Sequence, residues 1–446
     1  MSEKRNIILI TFDSLRADHC SFMRYYRKTT PILDQLAKEG LVFENAIVSN
    51  IGTTSSIFGI FTGEYAPVDP KSRVAQSWEK ETLRGLTSIT FGKDSYITDF
   101  WRKEIKTRKT LAQVLSEKGY TTGAFHANPA VSRYFGFDKG FKTFQDFLRQ
   151  NKATFDKILA SIVTRIGTGR LCRGFKDFVR GEGVFMNWEK LYNFVISWVK
   201  NQQPPFFLWI LLMDTHSPYI PPKKFRCWSN FLDIYKLNWK LYRGGFTSPN
   251  FNEREKQGII SIYDDTIRYA DSFVGNLLED LSDYDPIFII TADHGEGFGE
   301  HGFYGHPPML YEELCHVPLI IYNAGVKGRI KEPVSLLGIA PTILELIGEE
   351  NEFTSKSLLS KGGEWVIVKA FGEKIAVRGQ EWKYIRGQKE GGELYNLKRD
   401  PREQENLVNE YPDLAEKMKN VIESHVKHEM EKKRIRDKVS KIKMIK

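Results

Sequence analysis

Short apolar runs that stop at a polar, chemistry-capable residue recur along this chain. Residues 6–12, NIILITF, end at Asp13; YTTGAF ends at His126; FFLWILLM ends at Asp214 and His216; PIFIITA ends at Asp293 and His294. Continuous apolarity over so few residues predicts strands buried on both faces of a parallel sheet. Between them the apolar positions fall at helical spacing. TTPILDQLAKEG has Thr30 as N-cap, Pro31 at the first helical position and Gly40 past the end. TLAQVLSEKG reads as a second helix, and residues 254–282 as a long one with Ile259, Tyr263, Ile267, Ala270, Val274, Leu277 and Leu281 at helical spacing. LVFENAIV reads as a further strand.

This alternation predicts an α/β fold with a large, mainly parallel sheet flanked by helices. Open sheets of that kind bind ligands beyond the C-terminal ends of their strands. Asp13, His126, Asp214, His216, Asp293 and His294 all fall there, which points to one shared site. Two segments interrupt the rhythm. Residues 140–203 are helical, basic and aromatic, and residues 223–250 mix Trp, Tyr and Phe with Lys and Arg; both are expected as insertions over the sheet edge. Past residue 355 the pattern becomes EWVIVKAFG, KIAVRGQEWKYIRG and GELYNL, short strands divided by glycine, with a helix near YPDLAEKMKNVIESHV. The expected organisation is a catalytic body over 1–355, a small antiparallel sheet with a closing helix over 356–428, and a basic tail over 429–446. From Lys427 to Lys446 nine Lys/Arg stand against three Asp/Glu, so the tail is expected to be solvated and partly disordered.

SNIGTTSSIFGIFTGEY, residues 49–65, places Thr53, Thr54, Ser55 and Ser56 in one step before an apolar segment, Ile57–Phe61, that can form a helix ending at Gly63. At a helix N-terminus unpaired N–H groups and the positive dipole end favour an anion. One hydroxyl there could simply cap the helix; four exceed what a cap requires, and a hydroxyl on a metal can lose its proton and attack phosphorus or sulfur. Asp13, Asp293 and His294 together offer a divalent-metal site with an open position.

The 446 residues carry a net charge of +9, which favours anionic partners without naming one. Cys20, Cys172, Cys227 and Cys315 are scattered with no CxxC pair, so neither a zinc cluster nor a disulfide framework is indicated. GEGFGEHG superficially has the look of a dinucleotide loop, but its acids would repel a pyrophosphate. FFLWILLM is too short to cross a bilayer and no signal-peptide pattern is present, so a soluble cytoplasmic protein without a nucleic-acid partner is expected.

ILITFDSLRADH, TTPILDQLAKEGLVFENAIVSN, TSSIFGIFTGEY, MDTHSPYIPP, TADHGEGFGEHG, YEELCHVPLIIY, GIAPTILELIG and ELYNLKRDPREQENL together resemble the sulfatase family of the alkaline phosphatase superfamily, from Ile8 to about Leu407. The resemblance implies an alkaline-phosphatase-like fold and a metal-dependent hydrolase acting on an anionic sulfate or phosphate ester. It makes Asp13, Asp293 and His294 metal ligands and puts Thr53 at the nucleophile, also on the metal. His216 would contact the transferred or leaving group; His306 lies near a substrate-binding lysine position, and His126 is a further catalytic candidate. The cofactor would be one divalent cation (Ca²⁺, Mg²⁺, Mn²⁺ or Zn²⁺), or two. The departures are informative. Sulfatases place Cys or Ser in C/S-x-P-x-R, converted to formylglycine, whereas this chain reads Thr53-Thr54-Ser55-Ser56-Ile57, and Ser14 stands where a second Asp ligand is usual. Thr53 with Asp13, Asp293 and His294 looks more like lipoteichoic acid synthases and phosphoethanolamine transferases. A threonine ester has no second hydroxyl from which to expel sulfate, so a phosphodiester or phosphomonoester is the favoured substrate. The alternatives are phosphotransfer to an alcohol, a formylglycine-independent arylsulfatase, and a non-catalytic binding protein.

Overall fold

The computed structural model describes residues 4–67, 96–147, 186–244, 250–370, 374–387 and 391–445. Its centre is an eight-stranded sheet in the order Gly328–Ile330, Leu41–Phe43, Leu319–Tyr322, Ile287–Ala292, Ile7–Phe12, Phe206–Leu212, Thr121–His126 and Thr143–Gln145. All described neighbours pair in parallel except Leu319–Tyr322, which runs antiparallel to both of its partners. The central strands are apolar apart from Thr11 and Thr291 and are buried along their whole length. Helices cover the faces, among them Pro31–Glu39 and the long Glu253–Asp280.

Register sets up the site. Phe12 of the central strand stands opposite Leu212 on one side and Ala292 on the other. The chain therefore leaves the sheet at the same level at Asp13 and Asp293, whose N–H groups make the last ladder bonds, to the Leu212 carbonyl (2.9 Å) and the Phe12 carbonyl (3.1 Å). In-register residues of adjacent strands point to the same face, so the two carboxylates come together as a consequence of strand pairing.

The antiparallel sheet comprises Val366–Lys369, Ile375–Arg378, Trp382–Arg386 and Glu393–Asn396, and the closing helix packs on it through buried Met418 and Ile422. Three expectations change. LVFENAIV is two short strands in different sheets, Leu41–Phe43 and Ala46–Ile47, because the intervening Glu44 and Asn45 bond to the backbone of Ile330 and Lys331. The described parts of 140–203 belong to the body: Thr143–Gln145 is the sheet's edge strand, and helix Trp188–Lys200 buries Leu191, Val195 and Val199; residues 148–185 lie outside the described residues. The closing helix runs unbroken from Pro412 to Ile445, taking in the expected tail. No Gly or Pro interrupts it after Pro412, and Lys, Glu, Arg and Met favour helix. Far along it, Arg436 pairs with Glu64 at 2.7 Å.

Candidate active site

Asp13, Asp293 and His294 are fully buried, and each offers a ligand atom within 4.8 Å of the others. Asp13 is held on every side: Ser14 Oγ donates to its Oδ1 at 3.0 Å, Asn128 Nδ2 to its Oδ2 at 2.6 Å, and Thr215 Oγ1 to its carbonyl at 2.5 Å. Asp293 Oδ1 accepts from the N–H groups of Ser14 (3.1 Å) and His294 (2.8 Å). Its Oδ2 is buried with no hydrogen-bond partner among the described residues. His294 Nδ1 sits 2.9 Å from the Gly295 carbonyl, which makes Nδ1 the donor and turns Nε2 toward Asp293 Oδ2 (3.6 Å) and Asp13 Oδ1 (3.9 Å).

The electrostatics are those of a site short of positive charge. Burial acts to raise Asp13, but the imidazoles of His216, His294 and His306 hold it below its ordinary value. Burial, then the charge of Asp13, pushes Asp293 up to about 7. His294 is held above its ordinary value by the two carboxylates, against its own burial. Two buried carboxylates with an orphaned oxygen and a correctly oriented imidazole fit a divalent cation, with oxygen and nitrogen donors that suit several metals.

Helix Thr53–Thr62 starts at Gly52, whose φ of 94° is open to glycine without strain, and ends at Gly63 at φ 62°. No side chain caps its N-terminus. The four hydroxyls separate by helical phase. Thr53 Oγ1 lies 3.3 Å from His294 Nε2, whereas Thr54 Oγ1 donates to the Ala130 carbonyl at 2.8 Å. Ser55 and Ser56 are buried, and Ser56 Oγ has no described partner. One hydroxyl of the four faces the acidic cluster, at the end of a helix with unpaired N–H groups.

A second group adjoins the first. The His294 and His306 rings stand 4.3 Å apart and those of His306 and His216 5.3 Å apart. His306 Nδ1 meets Glu296 Oε1 at 3.2 Å, and Glu296 Oε2 is buried without a described partner. His216 is fixed by its Nδ1, 2.6 Å from the Ser217 carbonyl. Burial acts to raise Glu296, but His306, His216 and His294 hold it low. Burial, then His294, holds His306 below its ordinary value.

His126 and Asp214 do not join this group. His126 is fully buried between Phe144 and Trp209, each ring 5.1 Å away, and burial holds it down to about 4, a neutral core imidazole. Asp214 instead accepts from the Trp188 N–H at 3.3 Å. Asn128 and Glu296 escaped the sequence reading. Asn128 lies two residues past the end of the strand that carries His126. Glu296 was legible as an unexplained acid in GEGFGEHG.

The family model described as Sulfatase matches residues 5–349. The chain belongs to the sulfatase family. An arylsulfatase of Clostridium perfringens (strain 13 / Type A) is 26% identical over 485 residues, covering 94% of each chain. The phosphonate monoester hydrolase of Agrobacterium radiobacter shares the fold at a TM-score of 0.65 and 17% identity, covering 94% of this chain and 95% of that one. A structure in complex with its substrate D-glucosamine-2-N,6-O-disulfate matches with the same score at 18% identity, over 95% of this chain and 98% of that one. As a member of the family the protein is an ester hydrolase. The run Thr53-Thr54-Ser55-Ser56-Ile57, which the resemblance sets against C/S-x-P-x-R, contains no Cys, Pro or Arg, and Ile57 is buried.

Proposed function

We propose that this sulfatase-family protein hydrolyses a phosphate ester, a phosphodiester or phosphomonoester, with Thr53 as nucleophile and one divalent cation held by Asp13, Asp293 and His294. The observation that carries the reading is the position of Thr53 Oγ1, 3.3 Å from His294 Nε2 at the first turn of an uncapped helix. A bound divalent ion supplies a lowered hydroxyl pKa and neutralisation of charge on the anionic ester. A single ion is favoured because, among the described residues, only Asp13, Asp293 and His294 bring their ligand atoms within 4.8 Å of one another.

Thr53 Oγ, its proton lost to solvent beforehand, attacks phosphorus as the alkoxide it again becomes on release; the new Oγ–P bond forms as the bond to the leaving oxygen breaks. The leaving oxygen takes a proton from the His216–His306 pair, in which Glu296 orients His306. Water then attacks phosphorus, returns a proton to the same histidines and releases Thr53. Helix N–H groups and the nearby imidazoles face the charge that builds on the phosphoryl oxygens. Family membership favours a second reading, the same steps at sulfur on an aryl sulfate. Acid quench after brief incubation with an aryl phosphodiester, followed by peptide mapping, should find a phosphoryl group on Thr53. A group on Thr54 or Ser56 would move the nucleophile, and trapping only from an aryl sulfate would favour the second reading.

A further inference from the structure

Away from the catalytic cluster the surface carries a patch that neither the fold nor the chemistry uses. Tyr26 is 75% exposed, Phe231 52% and Leu232 76%. They come from two segments, the loop Arg24–Lys28 and the stretch running from Pro221 into helix Phe231–Gly244. The guanidinium of Arg27 lies 5.5 Å from the centre of the Trp228 ring and 5.3 Å from that of Tyr26, which joins the two segments into one surface. Arg226 lies over Phe231 at 5.5 Å. The cations are Arg24, Arg27, Lys28, Lys223, Lys224 and Arg226, of which Arg27 is paired with buried Asp264 at 2.7 Å, and the sole acid in residues 24–28 and 221–232 together with the helix's first turn is Asp233.

The rest of this stretch is anchored, so the exposure is not that of a loose loop. Ile234 and Leu237 are buried, and Asn238 exchanges hydrogen bonds of 2.8 Å with both the N–H and the carbonyl of Tyr219. Asp265 gathers the N–H groups of Cys227, Trp228 and Ser229. The helix thereby holds its apolar tip outward, and Tyr219 lies three residues after His216 on the loop bordering the catalytic cluster.

We infer that this patch docks on an anionic lipid bilayer surface, with Phe231 and Leu232 entering the boundary between headgroups and acyl chains and the surrounding Lys and Arg on the headgroup phosphates. Large apolar side chains at the tip of a rigid element gain by leaving water, and a ring of cations supplies the electrostatic half of the attraction. Tyr26 and Trp228 have the amphipathic rings that settle at such a boundary. A polyanion in solution would engage the cations but leave Leu232 in water. Among the described residues no helix is long and apolar enough to cross a membrane, so the contact is peripheral. The inference does not depend on the chemistry assigned to Thr53.

Co-sedimentation of the full chain with vesicles tests it. Vesicles of phosphatidylcholine mixed with phosphatidylglycerol should bind the protein at least about tenfold more than phosphatidylcholine alone, and added salt should weaken the binding. The double variant Phe231→Ser/Leu232→Ser should lose about tenfold of the binding at unchanged charge. Lys223→Glu/Lys224→Glu should remove the preference for the anionic lipid. Absence of co-sedimentation at low salt, or equal binding by the wild type and both variants, overturns the inference. So does retention on heparin that depends on Lys223 and Lys224 but not on Phe231 and Leu232, without vesicle binding, which would assign the patch to a soluble polyanion.

Discussion

Of the buried ionic clusters among the described residues, two are built on opposite principles. Where the C-terminal sheet meets the body, Lys383 Nζ lies 2.9 Å from both Glu312 Oε1 and Glu403 Oε1, while Arg378 reaches Glu312 Oε2 at 3.3 Å. Glu403 Oε2 also accepts from the Glu312 N–H at 2.6 Å. Two permanent cations face two carboxylates, the charge closes on itself, and the cluster ties Glu312 to the strands that carry Arg378 and Lys383. Both clusters hold buried carboxylate oxygens without a hydrogen-bond partner among the described residues, but Glu403 Oε1 has the Lys383 ammonium at 2.9 Å, whereas at the sheet edge the described ion pairs of Asp13, Asp293 and Glu296 are with histidines alone. Burying charge costs several kcal/mol per ion unless it is paired. A cluster that meets that cost internally is architecture; one left short of positive charge is a place for a cation and an anionic substrate.

Removing the proposed nucleophile should break the comparison hardest. Thr53→Ala should cut turnover at least about 1000-fold, with stability unchanged within about 0.5 kcal/mol because Thr53 makes no capping bond. Thr53→Ser should retain part of the rate. Steady-state assays and urea unfolding measure both. Lys383→Met should do the reverse, costing about 3–5 kcal/mol of stability in urea unfolding by stranding Glu312 and Glu403, without altering metal affinity in the folded fraction.

How much of this was legible in the sequence follows from what sequence periodicity encodes. Apolar runs located the central strands and their ends, and so Asp13, Asp293 and His294, because a doubly buried strand carries no charged residue until it leaves the sheet; its polar residues are threonines such as Thr11 and Thr291. Hydroxyls ahead of an apolar helix marked the step Thr53–Ser56, and only the resemblance to sulfatases singled out Thr53 within it. Register was not legible: strand ends alone do not say which terminal side chains share a face, so His126, packed between Phe144 and Trp209, looked equivalent to Asp13. Asn128 carries no charge and lies in a loop, so nothing local marked its 2.6 Å bond to Asp13. The basic charge count beyond Lys427 suggested solvated chain, although the same residues are good helix formers.

Smaller effects sharpen the contrast. Asn128→Ala should weaken divalent-cation binding by about 10- to 100-fold, since partners behind a ligand typically contribute that much, and competition with a metal-sensitive dye would read it. Thr54→Ala removes a single bond to the Ala130 carbonyl and should cost about 1 kcal/mol of stability with little loss of turnover.

Calorimetric titration of chelator-treated protein with each of Ca²⁺, Mg²⁺, Mn²⁺ and Zn²⁺ asks most directly whether the open cluster is a cation site. Saturable binding of at least one ion is expected, lost in Asp293→Asn and retained in Lys383→Met. No saturable binding of any of them by the wild type, or equally tight binding by Asp293→Asn, would contradict it.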